Sequence, residues 1–239
     1  MRVVVSLGGS VLAPGLDHER VAAHAAAIER LVDAGASVAV VVGGGEVARE
    51  YIDAARALDV NEIALDDMGI SVTRLNARLL IGALDDLAAP APSETYDEAK
   101  AALRRGDVAV MGGVTPGQTT DAVSAALAEY AEADLLVYAT SVPGVFDADP
   151  NEADGATRFD RMTARELVDV IVGTEMTAGA STPVDLLAAK LIERSRMRAI
   201  VLDGTDPEAV VDAVLYGEHE GTDVVPESSD GDLEQWAER

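Results

Sequence analysis

Short runs of β-branched and other apolar residues alternate along the chain with longer stretches whose apolar positions recur every three or four residues. The runs at Arg2–Leu7, Ser37–Val42, Val108–Met111, Leu135–Ala139 and Ala199–Leu202 lie next to glycine or turn residues and predict strands. Helical spacing, with abundant alanine, falls at Asp17–Ala34, Glu46–Leu58, Ile70–Leu87, Thr95–Arg105, Asp121–Ala131, Ala164–Val172, Pro183–Arg194 and Pro207–Tyr216. In the first of these, Val21, Ile28, Leu31 and Val32 make the apolar stripe and Gly35 the stop. Strand–helix alternation predicts an α/β fold, a three-layer sandwich whose largely parallel central sheet is covered on both faces. Val142–Asp160 breaks the rhythm with Gly, Pro and Asp and is expected to form a hairpin and loops. The expected organisation is one domain over 1–225 and a solvated acidic tail, PESSDGDLEQWAER, over 226–239.

Composition narrows the possibilities. Hydrophobic residues make up 49% of the 239 positions, enough for a sizeable core, which excludes disorder as the reason for the acidity. Lys+Arg 18 against Asp+Glu 43 leaves a formal charge of −25, which excludes nucleic-acid binding through a general basic surface. With Cys 0 there is no disulfide, thiolate nucleophile or Cys-ligated metal. The N-terminus reaches glycine too soon for a signal peptide and no apolar run approaches membrane-spanning length, so a cytoplasmic protein is expected. Lys100 and Lys190 are the only lysines and aromatics are 3%. Such a surface suits a salt-loaded cytoplasm, because at about 1 M salt the Debye length falls to ~3 Å and dense carboxylates repel one another little.

Candidate chemistry lies where strands end. The first strand runs into Leu7-Gly8-Gly9-Ser10, the second into Gly43-Gly44-Gly45-Glu46. Glycine lets backbone amides approach a phosphate, and a following helix N-terminus adds donors without needing lysine. Each loop taken alone is equally an ordinary strand-to-helix turn. No Gly-Lys-Ser/Thr and no Gly-x-Gly-x-x-Gly pattern occurs at either. A third cluster, Met111-Gly112-Gly113-Val114-Thr115-Pro116-Gly117-Gln118-Thr119-Thr120-Asp121, reads as an anion cradle with hydroxyls and a carboxylate, or simply as a capped helix start. The fourth is Ala139-Thr140-Ser141-Val142-Pro143-Gly144-Val145-Phe146-Asp147-Ala148-Asp149-Pro150.

In this order and spacing the four clusters resemble the amino-acid kinase superfamily and, within it, uridylate kinases of the archaeal type, from Met1 to about residue 225. The resemblance implies transfer of the ATP γ-phosphate to UMP with Mg²⁺, giving UDP and ADP in pyrimidine nucleotide biosynthesis, by a homohexamer built as a trimer of dimers. It assigns Gly9, Ser10, Gly45, Arg49, Thr140, Phe146 and Asp149 to ATP. Gly44, Asp66 and the loop Val114, Thr115, Pro116, Gly117, Gln118, Thr119 and Thr120 go to UMP, Asp66 reading the ribose hydroxyls. Asp121 and Asp185 match acidic positions near the transferred phosphate. Many members carry a lysine just before the first glycines; that position is Ser6, leaving Arg49 and Lys190 as the candidate cations.

Plainer readings stand beside these. Arg49 and Lys190 are also ordinary exposed helix residues, Asp66 with Asp67 and Asp185 after Pro183 are also helix caps, and Phe146 is also a core residue. His18, His24 and His219 form no pair at ligand spacing and read as solvated or structural. Relatives acting on acetylglutamate, carbamate or isopentenyl phosphate are the alternative enzymes; a nucleotide sensor and an oxoanion storage shell are the alternatives without catalysis.

Overall fold

The computed structural model describes residues 1–148, 155–175 and 183–227. The described strands are β1 (Arg2–Leu7), β2 (Ser37–Val42), β3 (Ala109–Met111), β4 (Leu135–Thr140), β5 (Arg161–Thr163), β6 (Ala199–Asp203) and β7 (Thr222–Val225). They form one seven-stranded sheet of order β3-β2-β1-β4-β6-β7-β5. All neighbours run parallel except β6 and β7, so the sheet is largely parallel as the alternation predicts. Connections leave β1 in one direction toward β2 and β3, and β4 lies on its other side. The carboxyl ends of β1 and β4 therefore flank a topological switch point, where open α/β sheets bind ligands.

The helices are α1 (Gly9–Leu12), α2 (His18–Asp33), α3 (Gly45–Arg56), α4 (Glu62–Leu84), α5 (Tyr96–Arg105), α6 (Thr120–Ala131), α7 (Ala164–Glu175), α8 (Leu186–Ser195) and α9 (Pro207–Leu215). Successive strand residues point to opposite faces and divide the core in two. Val4, Val41, Met111, Leu136, Tyr138 and Val201 pack beneath α5, α6, α7 and α8. Val3, Val5, Val40, Val110, Val137 and Ile200 pack beneath α1, α2, α4 and α9. Burying a Val, Leu or Ile side chain contributes about 1.5–3 kcal/mol, so the two apolar layers are the main stabilising term.

Differences from the sequence reading have local causes. Helix α4 begins at Glu62 with Asn61 as its cap, accepting from the Ala64 amide at 3.2 Å, and not at Ile70. Asp66 and Asp67 thus sit inside the helix and are not its cap. Strands β5 and β7 were not anticipated: three and four residues with polar members among them are too short to show a pattern. In Val142–Asp160 the hairpin stem forms, with Phe146 bridged to Arg158 and Phe159 N–H donating to Val145 O at 2.9 Å. Asp149 lies outside the described residues, as does the tail beyond Glu227. His24 is buried on α2 and its pKa is lowered to about 4, chiefly by burial, so it is neutral at physiological pH.

Candidate active site

The first two glycine loops touch each other backbone to backbone. A Cβ on Gly9 would lie 2.3 Å from Gly45 N and 2.5 Å from Gly43 O, and one on Gly43 would lie 2.7 Å from Gly9 N. Gly45 also needs its positive φ of 65° to turn the chain into α3. These glycines are therefore required by the protein itself, in addition to any ligand. Asn76 of α4 fixes the second loop by donating from Nδ2 to Gly43 O at 2.9 Å and Gly44 O at 3.2 Å. One turn earlier, the Thr73 hydroxyl accepts from Gly113 N–H at 2.7 Å and donates to Ile70 O at 2.6 Å. Arg74 donates from Nε to Gly113 O at 3.4 Å and pairs with Glu94 at 3.5 Å. Sequence reading missed Thr73, Arg74 and Asn76. The signal was there for two of them: Thr73 and Asn76 are polar residues in the stripe that continues through Ala77, Leu80 and Leu84.

A cavity of about 430 Å³ opens between the second loop, α4 and the third loop. That is within the usual range for a small-molecule site. Gly44, Asp66, Gly117, Gln118, Thr119 and Thr120 line it, together with Gly45, Gly69, Ile70 and Thr73. Six residues assigned to one nucleotide thus converge, and Gly45, assigned to the other, borders the same space. Val114 packs instead against the core, and Thr115 and Pro116 do not line the cavity. The Asp66 carboxylate accepts from Gly117 N–H at 2.8 Å, holding the third loop over the helix.

At the base of the third loop two helix starts meet. Thr119 caps α6, accepting from Ala122 N–H at 3.1 Å, and its hydroxyl donates to Asp185, which caps α8 by accepting from Ala188 N–H at 3.0 Å. The capping readings of both residues hold, and the bond between the caps joins residues 66 apart in sequence. Asp121 follows in the first turn of α6. Ser6, at the end of buried β1, donates to its Oδ1 at 3.4 Å, and the Tyr138 hydroxyl from β4 donates to its main-chain carbonyl at 3.0 Å. Burial of the Asp121 carboxylate, reinforced by the negative charge of Asp185 and opposed by the Ser6 hydroxyl, raises its pKa to about 7.

No arginine or lysine pairs with Asp121 or Asp185 among the described residues. Lys190 is exposed on α8 and pairs with Glu193 at 2.9 Å. Arg49 is exposed on α3. Neither candidate cation is brought to the carboxylates. On the β4 side, the Thr140 hydroxyl closes a local turn with the Val142 amide at 3.0 Å and carbonyl at 2.9 Å. Phe146 is half-buried and joins neither core layer, whereas Phe159, the other phenylalanine, packs on one of them. The core reading of Phe146 is therefore not what the structure shows.

Residues 1–203 match the amino acid kinase family. The chain belongs to the amino acid kinase family. Within this family, a uridylate kinase from Halobacterium salinarum is 68% identical over 238 residues, covering 100% of this chain and 99% of the relative. The crystal structure of uridylate kinase from Archaeoglobus fulgidus is 44% identical and covers 94% of this chain and 100% of that one, with a TM-score of 0.84. UMP kinase from Bacillus anthracis, at 24% identity and a TM-score of 0.79 over 95% of this chain, shares the fold. The amino acid kinase likeness drawn from the four glycine clusters is thus confirmed, with the largely parallel sandwich it implied.

Proposed function

We propose that this protein is an ATP-dependent UMP kinase that moves the γ-phosphoryl group to the phosphate of UMP. The observation that carries the reading is the convergence of Gly44, Asp66 and Gly117–Thr120 on one cavity beside Asp121, in a chain so similar to uridylate kinases. The acceptor phosphate has a second pKa near 6 and is already anionic at neutral pH, so no general base is needed. One P–O bond to ADP breaks as one to UMP forms. Catalysis is then positioning and charge stabilisation. In this reading the N-terminal part binds UMP: Asp66 holds the ribose hydroxyls and Val114–Thr120 closes over the nucleotide. The C-terminal part binds ATP through Thr140, Asp149 and the Phe146 ring, with Gly9, Ser10, Gly45 and Arg49 contributing amides and charge from the other side. Lys190, exposed and paired with Glu193, is the remaining candidate cation.

Asp121 and Asp185 fit a divalent cation. Among the described residues the buried Asp121 carboxylate meets only a long hydrogen bond from Ser6, and one or two carboxylates completed by substrate phosphates is the usual Mg²⁺ donor set. When bound, Mg²⁺ would supply the charge neutralisation that a lysine at position 6 would otherwise bring. Thr119 holds Asp185 in place for that role, and Tyr138 holds the main chain of Asp121.

The wider reading is a homohexamer in a cytoplasm rich in salt, serving pyrimidine nucleotide biosynthesis; the −25 charge supports the salt. Dialysis to low salt is expected to abolish the circular dichroism of the fold, and light scattering in molar KCl to give six copies. The test of function is ADP release with Mg²⁺ and ATP in molar KCl, run on UMP, CMP, acetylglutamate and no acceptor. Turnover confined to UMP supports the proposal. UMP binding without turnover favours the second reading, a nucleotide sensor, for which Ser6 at the usual lysine position argues.

A further inference from the structure

Gly69 lies on the face of α4 that looks into the cavity, three residues after Asp66 and four before Thr73, and lines the cavity with both. Glycine inside a helix is less favourable than alanine, and in a cavity wall it also leaves free the space that a side chain would fill. Its backbone does not require glycine, because Gly69 has no positive φ. Its neighbours do not either: a Cβ there would meet only the Ile52 Cδ1 methyl at 3.4 Å, the mobile end of a side chain. The other cavity glycines differ. A Cβ would lie 2.4 Å from Ala48 Cβ at Gly44, 2.6 Å from Gly9 C at Gly45 and 2.9 Å from Ile70 Cγ1 at Gly113, while Gly117 has a φ of 81°. Among the described cavity glycines, Gly69 alone has no reason inside the protein.

We infer that Gly69 is a contact position for the acceptor nucleotide, left bare so that the sugar lies directly on the helix backbone. The inference rests on the UMP reading above and deepens it. Asp66 marks the sugar-hydroxyl end, and Thr73, bonded to Gly113 beside Gly44, marks the phosphate end. Gly69 lies between them, where the sugar edge must cross α4. A methyl group at this position leaves the protein unstrained and fills space that the sugar needs. It therefore selects the acceptor without touching the donor.

Gly82 provides the internal control. It belongs to the same helix, is exposed, and a Cβ there would meet nothing within 4 Å. The experiment compares the unaltered protein, Gly69→Ala and Gly82→Ala in molar KCl by Tm, by KM for UMP and ATP, and by calorimetric UMP binding. Gly69→Ala is expected to keep or raise Tm, to raise KM and Kd for UMP at least tenfold, and to leave KM for ATP unchanged. Gly82→Ala is expected to raise Tm and change neither KM. If Gly69→Ala lowers Tm, the glycine serves the fold; if it leaves UMP affinity unchanged, it serves no ligand; either result overturns the inference alone. An unaltered protein that neither binds nor phosphorylates UMP overturns the functional reading and this inference with it.

Discussion

The two sides of the switch point are built on opposite principles. At the ends of β1, β2 and β3, missing side chains let loops pack on backbone, with Asn76, Thr73 and Asp66 of α4 pinning them: Gly9 rests on Gly43–Gly45, and Gly112 would place a Cβ 2.5 Å from Thr73 Oγ1. Where α6 and α8 begin, the parts are located by side chains: Ser6 and Tyr138 hold Asp121, and Thr119 holds Asp185. Backbone contact gives a fixed surface whose shape hardly depends on pH or salt. The carboxylates give an adjustable one, because Asp121 titrates near neutrality and its charge depends on what is bound beside it.

Gly9→Ala attacks the fixed side most strongly. With 2.3 Å to Gly45 N and no mobile atom to give way, it is expected to cost about 3 kcal/mol or more, or to prevent folding. An unchanged denaturant midpoint would break the comparison. Asp121→Asn attacks the adjustable side. It is expected to lower kcat about 100-fold or more while the fold persists. Its stability effect has a definite sign. The folded pKa is raised to about 7 from 3.8, so between those values the folded state holds a proton that the unfolded state releases, and stability falls as pH rises. Asparagine removes that loss. In metal-free molar salt the variant should melt about 5 °C higher than the unaltered protein at pH 8 and show little gain at pH 4. Equal gains at both would contradict the titration. Asn76→Ala is the smallest: two carbonyls lose their donor, at a cost of about 1–3 kcal/mol, and KM should rise for UMP and ATP alike. A rise for one nucleotide alone would show that the two loops are not a single unit.

What the chain reveals about itself follows the same division. The strands β1 and β2 coincide with their apolar runs because both faces of the central sheet are buried and the composition shows it. The order of the glycine clusters locates the cavity wall, since loops after parallel strands meet at one edge of the sheet. The first two turns of α4 were illegible because Asp66 and Asp67 read as the caps of a helix starting at Ile70, although they lie inside the helix and face the cavity and solvent. Thr73 and Asn76 were missed because a polar residue within an apolar stripe looks like an imperfection until the loop it holds is in view. The Thr119–Asp185 bond and the cover of Ser6 on Asp121 join distant segments, and no local pattern encodes them. Lys190 shows the converse: the scarcity of lysine drew attention to a residue that lies exposed and pairs with Glu193.

The central claim is that the acceptor nucleotide occupies the cavity beneath the third loop, apart from the ATP side. Ile70 lines that cavity, and its methyl group is a direct reporter. A methyl NMR titration of isoleucine-labelled protein in molar KCl, with the Ile70 signal assigned by substitution, should show that signal moving with UMP and staying in place with a non-hydrolysable ATP analogue. An Ile70 signal unmoved by UMP, or moved by the ATP analogue alone, would contradict the account.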